Sequence, residues 1–254
     1  MVEQITVTGM VISAMPVGEY DKRLVLVTKE KGKITVFAKG ARRQNNRFVA
    51  ATQPFSFGRF HVYPGKEAYN LVNVDITEYF DDISKDLECM YYGFYLLELS
   101  GIFTYENIEG RDVLRLLYGS LKALTKSIET RESEKDNIPF SLIRRIFELK
   151  LLAINGEYPD VFKCYKCGSS ENLITMDMMK PGALCSKCIH DNMYVRYNTS
   201  TFYTMQYIIS APIEKLYSFK VSEEVLSEFA DIMDKMMRIY VNKEIKSLEV
   251  LEMI

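Results

Sequence analysis

Acidic residues are missing from one long stretch of this chain. Between Lys31 and Lys66 there is no Asp or Glu, while eight Lys or Arg occur. Histidine is scarce too, with only His61 and His190. Glycine-rich phosphate cradles are lacking, because Gly32 and Gly40 sit in neither the G-x-x-x-x-G-K-[ST] nor the G-x-G-x-x-G frame. The adjacent acids Asp81-Asp82 and Glu223-Glu224 read as helix starts, where carboxylates meet the positive end of the dipole, rather than as acid/base dyads. Together these absences leave little to build an enzyme from. Long apolar runs are absent as well: the longest, Cys89 to Phe103, is broken by Glu98 and is too short to span a bilayer. Met1–Gly9 does not read as a secretory signal. The expected address is cytoplasmic, with no membrane partner. No internal repeat or low-complexity segment is evident.

Cysteine is present in a particular pattern. Cys164 and Cys167 form one Cys-x-x-Cys knuckle, and Cys185 and Cys188 form a second after seventeen residues. Two knuckles at this separation are the ligand set of a four-thiolate zinc ribbon, because Zn²⁺ takes a tetrahedral shell and each tight turn presents two sulfurs to one ion. A closed shell of this kind has no open position for water or substrate, so one structural Zn²⁺ is expected. Two disulfides would need an oxidising compartment, and a thioredoxin-like pair would need a single motif at the end of a βα unit. A reduced ribbon without metal is a further alternative. His190, two residues after Cys188, is a candidate substitute ligand. Cys89 lies inside an apolar run and reads as a small buried hydrophobe.

The formal net charge of −2 conceals a division. Residues 1–80 carry eleven basic against seven acidic side chains, a balance of +4, and the remainder carries −6. Such asymmetry implies separate jobs for the two halves. The first eighty residues read as five short antiparallel strands, with Leu24-Val25-Leu26-Val27 fitting a strand covered on both faces. Ile34, Val36 and Ala38 share one face of the third strand and Phe37 and Lys39 the other, while Val72, Val74 and Ile76 point inward from the fifth. Phe55, Phe57, Phe60 and Tyr63 fall on both faces of the fourth strand, so several belong to the core. This pattern predicts a small closed barrel: the OB-fold is the five-stranded version, with an SH3-like barrel as competitor. Helices follow. A dense apolar segment over 85–105 predicts a central helix, and further helices are expected over 110–129, from Pro139 onward, over 200–216 and from Ser222. The expected class is therefore α+β, with an OB-fold domain over 1–80 and a helical domain over 81–254 that carries an inserted Cys₄ zinc ribbon at about 162–197.

Lys39, Arg42, Arg43 and Arg47 crowd one loop of the acid-free stretch, near Phe37 and among Gln and Asn side chains. Phosphate backbones need cations, and splayed bases need flat rings. A solvated loop that merely aids solubility is the plainer reading, but basic residues are rarely left uncompensated for so long. The Met- and Tyr-rich C-terminal segment, with Met233, Met236, Met237 and Tyr240, reads as packing.

Several segments, in order, resemble one family. They are Gly18-Glu19-Tyr20-Asp21-Lys22-Arg23, Thr28-Lys29-Glu30-Lys31-Gly32-Lys33, Ala38-Lys39-Gly40-Ala41-Arg42-Arg43, Arg47-Phe48 and Gln53-Pro54-Phe55. Farther on come Arg145-Ile146-Phe147-Glu148-Leu149-Lys150-Leu151-Leu152, Gly156 and Tyr158-Pro159, ending in the first knuckle. The chain is similar to the RecO family of bacterial recombination mediators and DNA repair proteins. The resemblance implies an OB-fold, a helical domain and an inserted zinc ribbon. It also implies binding of single- and double-stranded DNA, annealing of complementary strands, and help in loading RecA alongside RecR and single-stranded DNA-binding protein. DNA contact carries over to Lys39, Arg42, Arg43 and Arg47 alone. Two readings compete: an OB-fold protein-interaction adaptor with little DNA affinity, and an enzyme bearing a structural ribbon.

Overall fold

A computed structural model describes residues 3–131, 137–180, 182–189, 194–251 and 253. Five strands open the chain: β1 (Ile5–Val17), β2 (Asp21–Thr28), β3 (Gly32–Ala38), β4 (Phe57–Pro64) and β5 (Tyr69–Glu78). They close into a barrel in the order β1-β2-β3-β5-β4, with β4 pairing back onto β1. The expected OB-type barrel is present. It is not antiparallel throughout, because β3 and β5 run parallel, with Val36 opposite Tyr69 and Phe37 opposite Asn70. The short helix α1 (Phe48–Ala51) intervenes between β3 and β4, so the chain re-enters the sheet without a hairpin and β5 can close against β3 in the same direction.

β1 is long because two neighbours share it: its first half pairs with β4, its second with β2. Closure demands a close approach at Gly9 and Gly58, which face each other in register. A Cβ on Gly9 would lie 2.8 Å from the Val27 carbonyl oxygen, and one on Gly58 would lie 2.2 Å from that of Asp75. Glycine at such corners is a steric requirement. The core is filled by alternate residues, including Val7, Val11, Leu24, Leu26, Ile34, Val36, Phe60 and Val62. Leu24–Val27 is covered on both faces as expected, since Val27 is buried on the side opposite Leu24 and Leu26 and helix α3 (Arg111–Glu129) packs on β2.

One inward assignment differs. Leu71 fills the core and Val74 and Ile76 pack against it, whereas Val72 does not. The β4–β5 register slips between His61–Asn73 and Val62–Leu71, leaving Val72 as the extra residue of a bulge. A bulge reverses the alternation, which strict period-two counting cannot anticipate.

Two compact units divide the chain: Met1–Lys135 with Ile245–Ile254, and Asp136–Glu244. The first unit adds to the barrel helix α2 (Leu87–Ile102), α3 and the short α7 (Lys246–Leu251). Asp86 caps α2 by accepting from the Cys89 amide at 2.8 Å. Around α2, Tyr95, Leu96, Leu97 and Leu99 are buried, while Leu87 and Phe94 are exposed.

The second unit contains α4 (Phe140–Ile154), α5 (Thr199–Ser210) and α6 (Glu223–Tyr240). It also holds a three-stranded sheet of β6 (Asp160–Cys164), β8 (Gly182–Cys185) and β7 (Leu173–Asp177), in that order. Buried residues run all round α4, whereas α6 buries one face. The helix expected over 200–216 is interrupted: α5 ends at Ser210 and a 3₁₀ turn covers Ile213–Lys215. Pro212 lacks the amide that a continuing helix needs and forces Ala211 to be extended. Among the described residues no helix is long and apolar enough to cross a membrane.

Candidate metal centre and nucleic-acid interface

The ribbon sheet brings the four knuckle cysteines together. Cys164 ends β6 and Cys185 ends β8, so the strand ends deliver one sulfur from each knuckle and the following turns deliver Cys167 and Cys188. Each turn is closed by its own backbone. The Gly168 amide donates to the Cys164 carbonyl at 2.7 Å, and the Cys188 amide donates to that of Cys185 at 3.0 Å. Gly168 has φ +75°, the left-handed conformation the first turn needs. All four sulfurs lie within 4.8 Å of one another, and Cys167 Sγ and Cys185 Sγ are 3.6 Å apart. A tetrahedron with metal–sulfur bonds near 2.3 Å has edges of about 3.8 Å, so the cluster fits such an ion. It is much wider than a disulfide at about 2.05 Å, and all five cysteines are unpaired.

The thiols also differ in acidity. Burial opposes ionisation of Cys164, but the amides of Cys185, Cys167 and Lys166 outweigh it and pull that thiol down to about 6. Cys188, hydrogen-bonded by Cys167 and partly desolvated, is pushed up to about 12. Four cysteines could hold a metal here. His190 lies outside the described residues.

The basic loop is built differently. Ala41 and Phe48 are both buried in the barrel core, so the residues between them are held at two ends. Burial of Phe48 contributes roughly 2 kcal/mol to that anchoring. The loop is also tied to the β1–β2 turn: the Gly40 amide donates to Asp21 Oδ1 at 2.7 Å, and the Arg42 amide donates to the Tyr20 carbonyl at 2.8 Å. Asp21, an acid close to the loop in space, is thereby engaged by backbone. Lys22 secures the far side, donating to the Thr52 carbonyl at 3.2 Å and to Thr52 Oγ1 at 3.0 Å. Burial and the nearby positive charge of Arg42 lower its pKa.

Lys39, Arg42, Arg43 and Arg47 are all exposed. Arg42 donates from Nη1 to the Gly18 carbonyl at 3.1 Å. Arg43 lies over the Tyr20 ring, 4.8 Å from its centroid. Arg47 lies 4.8 Å over Phe48 and donates to the carbonyl of the bulged Val72 at 3.0 Å. Phe37 is half-buried on the outer face and stands in register with Arg23 on β2 and, through Asn70, with Tyr63 on β4. The sequence reading does not single out Tyr20 or Arg23. Only the Gly-Glu-Tyr-Asp turn hints at Tyr20, and Arg23 needs the β2–β3 register to be seen beside Phe37.

A closed OB-type barrel with a cationic loop and rings on its exterior, followed by helices and a four-cysteine ribbon, defines the class of protein: an α+β chain that joins an OB-type barrel to a helical part carrying a cysteine ribbon. The known proteins it matches are more particular. Residues 1–80 match the family profile described as Recombination protein O N terminal, and residues 84–249 match Recombination protein O C terminal. The chain is 32% identical over 244 residues to the DNA repair protein RecO of Acetivibrio thermocellus, covering 95% of this chain and 94% of that one. It is 31% identical over 251 residues to DNA repair protein RecO of Symbiobacterium thermophilum, covering 97% and 96%. To the same-named protein of Alkaliphilus metalliredigens it is 28% identical over 245 residues, covering 95% and 96%. The chain belongs to the RecO family of DNA repair proteins.

Proposed function

We propose that this chain binds single- and double-stranded DNA on the outer face of the barrel and its basic loop, and anneals complementary strands there. One observation carries this reading. Three exposed cations, Arg42, Arg43 and Arg47, lie on a loop anchored by Ala41 and Phe48, and exposed Lys39 stands just before it, within thirty-six residues that contain no acid. Each phosphate met by such a cation releases condensed counterions, and this drives association of either strand without regard to sequence. Tyr20 and Phe37 offer flat rings to unpaired bases. Holding two strands on one surface raises their mutual concentration, so pairing proceeds without any bond being made or broken. The activity is mediation, not covalent catalysis.

Family membership supports the wider role: helping RecA load onto DNA together with RecR and single-stranded DNA-binding protein, in the cytoplasm. The functional division proposed is residues 1–80 for DNA and 81–254 for shape and partners. The metal is proposed to be one structural Zn²⁺ on Cys164, Cys167, Cys185 and Cys188. All four donors are sulfur, the shell is closed, and exposed Lys166 and Lys187 offset the negative charge that four thiolates leave around a dication.

The test is a Lys39→Ala/Arg42→Ala/Arg43→Ala variant. It keeps its melting temperature and metal content but anneals poorly, and the slope of log affinity against log salt for single strands flattens by about 2. Wild-type annealing by this variant would remove the loop from the site.

A further inference from the structure

One acid stands beside the basic loop in space without belonging to it in sequence. Asp21 opens β2, half-buried, and its Oδ1 accepts the Gly40 amide at 2.7 Å. A carboxylate there repels the phosphates that Lys39, Arg42 and Arg43 would attract, so its presence calls for a compensating role. The bond it accepts is charge-assisted, and such bonds are about twice as strong as neutral ones.

Gly40 is where that bond has most effect. With φ +67° it turns the chain out of β3, and tight turns follow: the Arg43 amide donates to the Gly40 carbonyl at 2.9 Å, and the Asn46 amide to that of Arg43 at 3.1 Å. The direction taken at Gly40 therefore sets where Arg42 and Arg43 project. The far end of the loop is fastened separately, by Asn46 Oδ1 accepting the Phe48 amide at 2.8 Å and by Lys22 on Thr52. At the near end, the carbonyls of Tyr20 and Gly18 accept from Arg42, already past the turning point. Asp21 is the side chain that holds the turning point itself.

We propose that Asp21 is a positioning residue of the DNA site: through Gly40 it keeps the basic loop in the one arrangement that presents Arg42 and Arg43 together to a strand. This rests on the reading of the basic loop as the DNA site. The test uses the full chain with Asp21→Asn, which loses the charge but keeps an acceptor oxygen, and Asp21→Ala, which loses both. Because the charge is lost in each, the difference between them isolates the anchor. Measurements are hydrogen exchange at residues 39–47 and anisotropy titration with an oligothymidylate over a range of salt. Asp21→Ala should bind about fivefold more weakly than Asp21→Asn, because a smaller fraction of its loops is competent to bind. Its slope of log affinity against log salt should be unchanged, since every cation still meets phosphate once the loop is in place. Exchange should quicken at residues 39–47 in Asp21→Ala alone. Equal affinities for the two variants would overturn the proposal, and so would exchange that quickens throughout the barrel, which would assign Asp21 to the fold. Should Asp21→Ala not fold, Asp21→Ser carries the comparison, because a serine hydroxyl ends one atom short of Oδ1. The Lys39/Arg42/Arg43 alanine variant is titrated in parallel. If it binds like wild type, the DNA-site reading fails. If it binds weakly while Asp21→Ala binds like Asp21→Asn, the positioning role alone fails.

Discussion

Tyr20 does two things at the edge of the basic loop: its carbonyl accepts the Arg42 amide, and its ring lies under the Arg43 guanidinium. Only the second depends on the side chain. Tyr20→Phe should therefore behave as wild type. Tyr20→Ala should weaken single-strand binding by about 1 kcal/mol, with duplex binding less affected because paired bases cannot stack on the ring. Fluorescence anisotropy with matched single- and double-stranded oligonucleotides checks the difference, and equal losses on both would assign Tyr20 to loop shape only. At this scale the sequence was informative wherever chemistry is local. The knuckle cysteines are legible because two residues of spacing determine which sulfurs meet. The partners of Arg47 are not, because Val72 lies twenty-five residues away and its carbonyl is freed only by a bulge.

Among the elements, α4 has the most to lose from a single change. Glu148 is fully buried and accepts from Arg144 Nε at 2.8 Å and Arg145 Nη1 at 3.0 Å. Both arginines also reach Asp234 on α6, at 3.6 Å and 2.7 Å. Removing Glu148 takes a fully buried carboxylate away from two nearly buried guanidinium groups. Glu148→Ala should cost about 3–5 kcal/mol, measured by urea unfolding. A loss below 1 kcal/mol would mean that water replaces the carboxylate without difficulty. The α4 sequence announces a helix through its apolar spacing, but it does not announce that Arg144, Arg145 and Glu148 turn inward, since charged residues are ordinarily read as solvent-facing. Elsewhere the reading failed where pairing is non-local, as in the parallel β3–β5 ladder. It also missed α7, too short to show periodicity and stabilised from outside itself.

For the whole molecule, thiol chemistry separates the four-cysteine cluster, which could hold a metal, from the rest of the fold. Cys89 is buried, and desolvation, with Asp86 and Glu88 nearby, pushes its thiol up to about 12. A thiol reagent should leave all five cysteines largely unreactive in the metal-loaded protein. A chelator should then make four react, with one dication released per chain, and Cys89 should react only in denaturant. Cys164→Ser and Cys185→Ser should each abolish stoichiometric zinc, and full retention in either would sink the four-thiolate site. The division into two units has a consequence for synthesis. Residues 245–254 belong with the barrel, yet residues 136–244 are made before them. During translation the barrel, α2 and α3 emerge first, and their last wall arrives only after the ribbon and its helices have left the ribosome. A nascent chain stalled short of residue 245 would leave the Glu98 carboxylate without the Lys246 and Ser247 amides that it accepts from in the finished fold.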